Sequence, residues 1–80
     1  MRKLASGGGN TAVFGEIPSG TINGANVTFT LANTPVAGTV AVYLNGARQK
    51  VTDDYTISGA TITFVSAPLS GSNLLADYEH

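Results

Sequence analysis

Apolar and polar residues alternate along most of this chain with a period of two, as in strands buried on one face only. Val27, Phe29 and Leu31 fall on one side of an extended segment, with Thr28 and Thr30 on the other. Val40, Val42 and Leu44 repeat the arrangement, while Thr39, Ala41 and Tyr43 point the opposite way. Tyr55 with Ile57, and Ile62 with Phe64, form shorter sets. The last stretch sets Leu74, Ala76 and Tyr78 against Leu75, Asp77 and Glu79. No window carries a helical stripe. The pattern predicts an all-β domain over residues 13–80, a small antiparallel β-sandwich of about six or seven strands.

Turn residues punctuate these runs at short intervals. Asn45-Gly46 is a strong hairpin signal, because a type I′ turn needs positive φ at both central residues. It predicts a return strand from Ala47 to Val51. Asn23-Gly24 and Ser58-Gly59 are similar x-Gly turns, and Pro35–Gly38 and Pro68–Gly71 read as P-x-x-G connections. Asp53-Asp54 marks a further bend.

Two segments are near copies. Thr21-Ile-Asn-Gly-Ala-Asn-Val-Thr-Phe29 aligns with Thr56-Ile-Ser-Gly-Ala-Thr-Ile-Thr-Phe64, differing only at Asn23/Ser58, Asn26/Thr61 and Val27/Ile62. Each copy reads as a glycine-turn hairpin whose return strand carries Val27 and Phe29, or Ile62 and Phe64, on one face. The repeat predicts two similar hairpins packed face to face with pseudo-symmetry.

Composition narrows the function. The net charge is −1 and 11% of the residues are charged, against roughly 25% in ordinary soluble domains. The four cations, Arg2, Lys3, Arg48 and Lys50, are too few to track a phosphate backbone, so no nucleic-acid partner is expected. No apolar run is long enough to span a membrane, and the basic start lacks the apolar stretch of a signal peptide. The expectation is a soluble protein made in a cytoplasm. Without cysteine there is neither a disulfide staple nor a thiolate metal site. An 80-residue chain has a small core, and a neutral, Thr/Ser-rich surface is poorly guarded against association. Packing into a larger assembly, as a homo-oligomer or in many copies, follows. Residues 1–12, with Gly7-Gly8-Gly9, read as an N-terminal arm, either an unstructured terminus or a docking element.

A resemblance runs through the same residues. The segment from Pro18 to Pro35 (PSGTINGANVTFTLANTP), Val42-Tyr-Leu-Asn-Gly46, Asp54-Tyr55-Thr56, Ile62-Thr-Phe64 and Ala67-Pro68 together resemble a module of tailed-bacteriophage structural proteins. The likeness extends from about Pro18 to Tyr78 with its parts in order. Where that family often has a Pro/Gly turn before the Asp-Tyr-Thr triplet, Thr52-Asp53 stands here, a local departure from its pattern. The resemblance implies a β-sandwich in the virion with no enzymatic site. A head decoration (cement) protein, docked on major capsid subunits, is the first expectation. A neck or tail accessory or fibre protein, or a receptor- or glycan-binding module, is the alternative.

Catalytic chemistry is sparse. The one histidine is His80 at the end of the sequence, where it would hang on a frayed terminus. Asp53 and Asp54 fit turn chemistry better than a metal site, and Asp77 with Glu79 reads as a carboxylate pair on a sheet edge. No cofactor is expected. The residues expected to meet a partner are Arg2, Lys3 and Leu4 of the arm, Tyr43 on the outer face of its strand, and Arg48 and Lys50 after the Asn45-Gly46 turn. Tyr43 reads equally as a rim tyrosine half-covered by a loop, and the two cations as solubilising charges.

Overall fold

A computed structural model describes residues 11–80. The strands run in the order β1 (Ala12–Glu16), β2 (Thr28–Thr30), β3 (Ala41–Leu44), β4 (Ala47–Arg48), β5 (Tyr55–Ser58), β6 (Thr61–Phe64) and β7 (Leu74–Glu79). They form two antiparallel sheets, β1-β7-β3-β4 and β2-β6-β5. The all-β architecture and its two layers agree with the alternating pattern.

The alternation fixes which face each sheet buries. Leu74, Ala76 and Tyr78 of β7 point inward with Val42 of β3. They meet Phe29, Ile62, Phe64 and Tyr55 of the smaller sheet, and Leu31 beyond β2, in one apolar cluster. Phe29 and Phe64 pack edge to face with centroids 5.7 Å apart, and Tyr55 leans on Phe64 at 6.2 Å. Such pairs add about 0.5–1.5 kcal/mol beyond the area they bury. Thr28, Thr30 and Thr63 lie on the solvent face.

Asn45 and Gly46 both take positive φ, 53° and 84°, and so form the expected turn between β3 and β4. Asn45 does more than bend the chain. Its backbone N–H donates to the Asn73 carbonyl at 2.8 Å, and its Oδ1 accepts from the Asn73 N–H at 2.9 Å. These bonds tie the hairpin tip to the connection that leads into β7.

The repeat behaves differently from its expectation. The second copy forms the β5–β6 hairpin, but the first forms a loop followed by β2. The two copies do not stack face to face. Their return strands lie side by side in one sheet, with Phe29 opposite Ile62 and Thr28 opposite Thr63. The cause lies in the positions where the copies differ. Asn23 Oδ1 accepts from the Ala25 and Asn26 N–H groups, and Asn26 Nδ2 donates to the carbonyls of Thr21 and Thr28. Such local bonds hold a turn in place of a ladder. The second copy has Ser58 and the β-branched Thr61 there, and its ladder continues through Ser58 opposite Thr61.

β7 is also not an edge. It lies between β1 and β3, and Asp77 and Glu79 therefore sit mid-sheet. Asp77 Oδ1 accepts the Gly15 N–H at 2.7 Å, where a bulge between Val13 and Glu16 sets Gly15 at φ 69°. β1 takes in Ala12, and Thr11 exchanges backbone bonds with His80. His80 is thereby paired through its backbone, and its ring lies 6.0 Å from that of Tyr78.

One residue is held in a costly conformation. Thr52 takes φ 79° between β4 and β5, where its N–H donates to the Tyr55 carbonyl at 2.6 Å. A β-branched residue pays for the left-handed region, about 1–3 kcal/mol. Thr52→Gly keeps the backbone bond and removes that strain. It is expected to raise stability by about 1 kcal/mol after the entropy of the added glycine is counted, read as a higher urea midpoint with unchanged slope.

Candidate interaction surface

Three parts of the molecule carry the features that a docking module needs: a rigid frame, uncovered apolar side chains, and a cleft with charge at its rim. The frame is anchored where β1 ends. Glu16 Oε1 accepts from the Tyr78 hydroxyl at 2.5 Å, and Oε2 accepts from the Ala32 N–H at 2.8 Å. Asn33 Nδ2 donates to the same hydroxyl at 3.2 Å. One carboxylate thus joins β1, β7 and the segment that follows β2.

Burial and the Glu16 carboxylate raise the Tyr78 hydroxyl above its ordinary pKa of 10.0. Burial also raises that of Tyr55, against a smaller lowering by the Arg48 charge. The folded chain therefore keeps protons that the unfolded chain releases. The contribution of these two hydroxyls to stability should be level below about pH 10 and fall as pH rises above it, until the native hydroxyls ionise in turn. Urea midpoints measured between about pH 9 and pH 11 check this, and Tyr78→Phe should flatten the decline.

The outer face of the larger sheet carries the apolar part. Tyr43 pairs with Leu75 of β7 and Arg48 of β4. It is half-buried, which fits the rim position as well as the contact role. Beyond the edge of β1, Ile17 shares a shallow depression with Leu75. Phe14 is 80% exposed and Ile17 73% exposed. The sequence reading did not single out these two. Their signal was faint: Phe14 directly follows the apolar Val13, so the two compete for one inward face, and the bulge that turns Ile17 outward is not visible as a motif.

The cleft lies along the open seam between β4 and β5. It is lined by Pro35, Val36, Val40, Val51, Tyr55 and Ile57, with Arg48 among its walls, and has a volume of about 370 Å³. Arg48 is exposed there. Lys50, expected to meet an acidic neighbour, is exposed and lies 3.1 Å from Asp53 of its own chain. Asp54 closes the same bend, its Oδ2 accepting the Lys50 N–H at 2.7 Å. Arg2, Lys3 and Leu4 lie outside the described residues.

Among the described residues no group of three or more His, Asp or Glu side chains is placed to hold a metal ion. No helix there is long and apolar enough to cross a membrane. The fold defines the class to which the chain belongs, a small β-protein of two antiparallel sheets. No protein-family model, no curated protein and no solved structure matches it.

Proposed function

We propose that this chain is a bacteriophage virion structural protein that docks on other particle proteins, in the first place as a head decoration protein that stabilises the capsid. The ordered resemblance from Pro18 to Tyr78 points to the virion. The observation that most supports docking is the number of large apolar side chains left in solvent at separate places, Phe14, Ile17, Val51, Val65 and Leu69, on a domain with few charges. Where such side chains share one depression, as Val65 and Leu69 do, the apolar area favours a surface that ends up covered. Many copies on one particle act together, so no single contact has to be tight.

Cryo-EM reconstruction of the parent particle tests the proposal. Density for this β-domain on the capsid surface is the expected result, and density at the neck or tail would move the docking site. Its absence from the particle would overturn the virion reading. Because Thr11 and Ala12 belong to the sheet, a truncation that probes the arm should remove residues 2–10 only. That variant is expected to keep its fold by circular dichroism and to bind particles more weakly.

A further inference from the structure

β1 is an edge strand of the larger sheet, and its neighbour fixes the direction of its backbone groups. Thr11 and His80 exchange both backbone bonds, at 2.7 and 2.9 Å. In an antiparallel ladder such pairs alternate with pairs that exchange none. Ala12, opposite Glu79, is therefore a non-bonded position, and Val13, opposite Tyr78, a bonded one. The N–H and C=O groups of Ala12 therefore point away from β7, and continued alternation past Val13 turns those of Phe14, at the start of the bulge, the same way. Natural edges are commonly guarded by lysine, proline or a charge. Residues 11–15 have none of these. Among the described residues only the bulge at Gly15 limits the edge, leaving a short open stretch centred on Val13.

We propose that β1 pairs antiparallel with β1 of a second copy, across a two-fold axis at Val13. The pattern of outward-pointing residues reads the same in both directions. Ala12 meets Phe14 of the second copy, Phe14 meets its Ala12, and each of these pairs exchanges both backbone bonds. On the outer face the exposed Phe14 ring lies over a methyl group small enough to make room for it. The two four-stranded sheets become one, through an isologous contact that closes on itself. The shared edge is short against the 1,200–2,000 Å² typical of stable complexes (about 1,600 Å² on average), so the dimer is weak and concentration-dependent. The inference concerns the isolated chain and stands apart from the virion reading.

Sedimentation equilibrium of the full chain provides the test. The average mass should rise from monomer toward dimer between about 10 µM and about 1 mM. Ala12→Pro removes an N–H that β7 does not use, so the ladder with β7 should survive. Dimerisation should weaken at least tenfold, on the order of 1.4 kcal/mol. Phe14→Ser, at an exposed position, gives a second variant with the same expected loss. The register has its own probe, because the chain has no cysteine. Two copies of a Val13→Cys variant would face each other about 4.5 Å apart at Cα, close enough for oxidation to link them. Thr11→Cys, out of register with itself, should stay unlinked. A chain that remains monomeric throughout would overturn the proposal. So would a dimer indifferent to both edge variants, or one that position 13 cannot cross-link, since another segment or face would then be in contact.

Discussion

Gly20→Ala should destabilise the protein by about 3 kcal/mol, from overpacking and backbone strain together. Gly20 has φ 142°, and an added Cβ would lie 2.6 Å from Cδ1 of Phe29 and 3.0 Å from the Thr28 carbonyl oxygen. Neither neighbour can yield cheaply. Phe29 is 1% exposed at the centre of the core, with its ring braced against Phe64. The Thr28 carbonyl belongs to β2, whose last residue, Thr30, exchanges backbone bonds with Ser19 at 2.8 and 2.9 Å. The clash is thus confined between a strand and a packed ring. Urea denaturation of Gly20→Ala, Phe29→Leu and the double variant would measure it. The double variant should lose less than the sum of the singles, because leucine removes the ring that the new methyl strikes. Additive losses, or a loss below about 1 kcal/mol for Gly20→Ala, would mean that the backbone moves aside freely.

Glu16→Ala comes next in size, with an expected loss of about 2–3 kcal/mol. The carboxylate satisfies the Tyr78 hydroxyl and the Ala32 N–H together, and Tyr78 is 2% exposed. Removing it leaves both donors without that acceptor, and an orphaned buried donor costs more than the bond it lost. Glu16→Gln keeps one acceptor oxygen and should cost less than half as much. A cycle with Tyr78→Phe separates the pair term, expected at about 1–2 kcal/mol. Because Glu16 joins β1 to both β7 and the segment after β2, the loss should also appear as faster amide exchange in β1.

Much of the fold was legible in the sequence because period-two patterning is local. Phe29, Val42, Ile62 and Tyr78 could each be assigned an inward face from their neighbours alone, and all are buried. The Asn45-Gly46 turn could be read in the same way, since its chemistry lies within two residues. What local pattern could not supply was pairing across distance. β1 and β7 are adjacent in the sheet although Ala12 faces Glu79, and no turn motif joins them. The placing of Asp77 on an edge failed for that reason. The repeat misled in another way: identity at Thr21, Ile22, Gly24 and Ala25 was outweighed by two side-chain amides, Asn23 and Asn26, that hold their own backbone in a loop.

The surface was harder to read. Tyr43 and Arg48 were singled out because each stands out from its strand or turn, and Arg48 lies in the wall of the seam cleft. Lys50 is held by Asp53, a pairing that a turn of unspecified type did not reveal. Phe14 and Ile17 look like core residues in sequence. Phe14 is outside because its neighbour Val13 takes the inward face, and Ile17 because the register of β1 shifts ahead of Glu16 at a single bulge.

The strand order has a consequence for the timing of folding. β7 is the central partner of both β1 and β3, so during synthesis only the β3–β4 hairpin of the larger sheet can form before β7 leaves the ribosome. β1 must wait, unpaired, while more than half of the chain is made between Glu16 and Leu74. The smaller sheet closes through the β5–β6 hairpin and can assemble earlier. Long-range closure of this kind slows folding relative to local pairing. In refolding experiments, protection should therefore reach β5 and β6 first and β1 last, with the final zipping of Thr11 to His80 setting the overall rate.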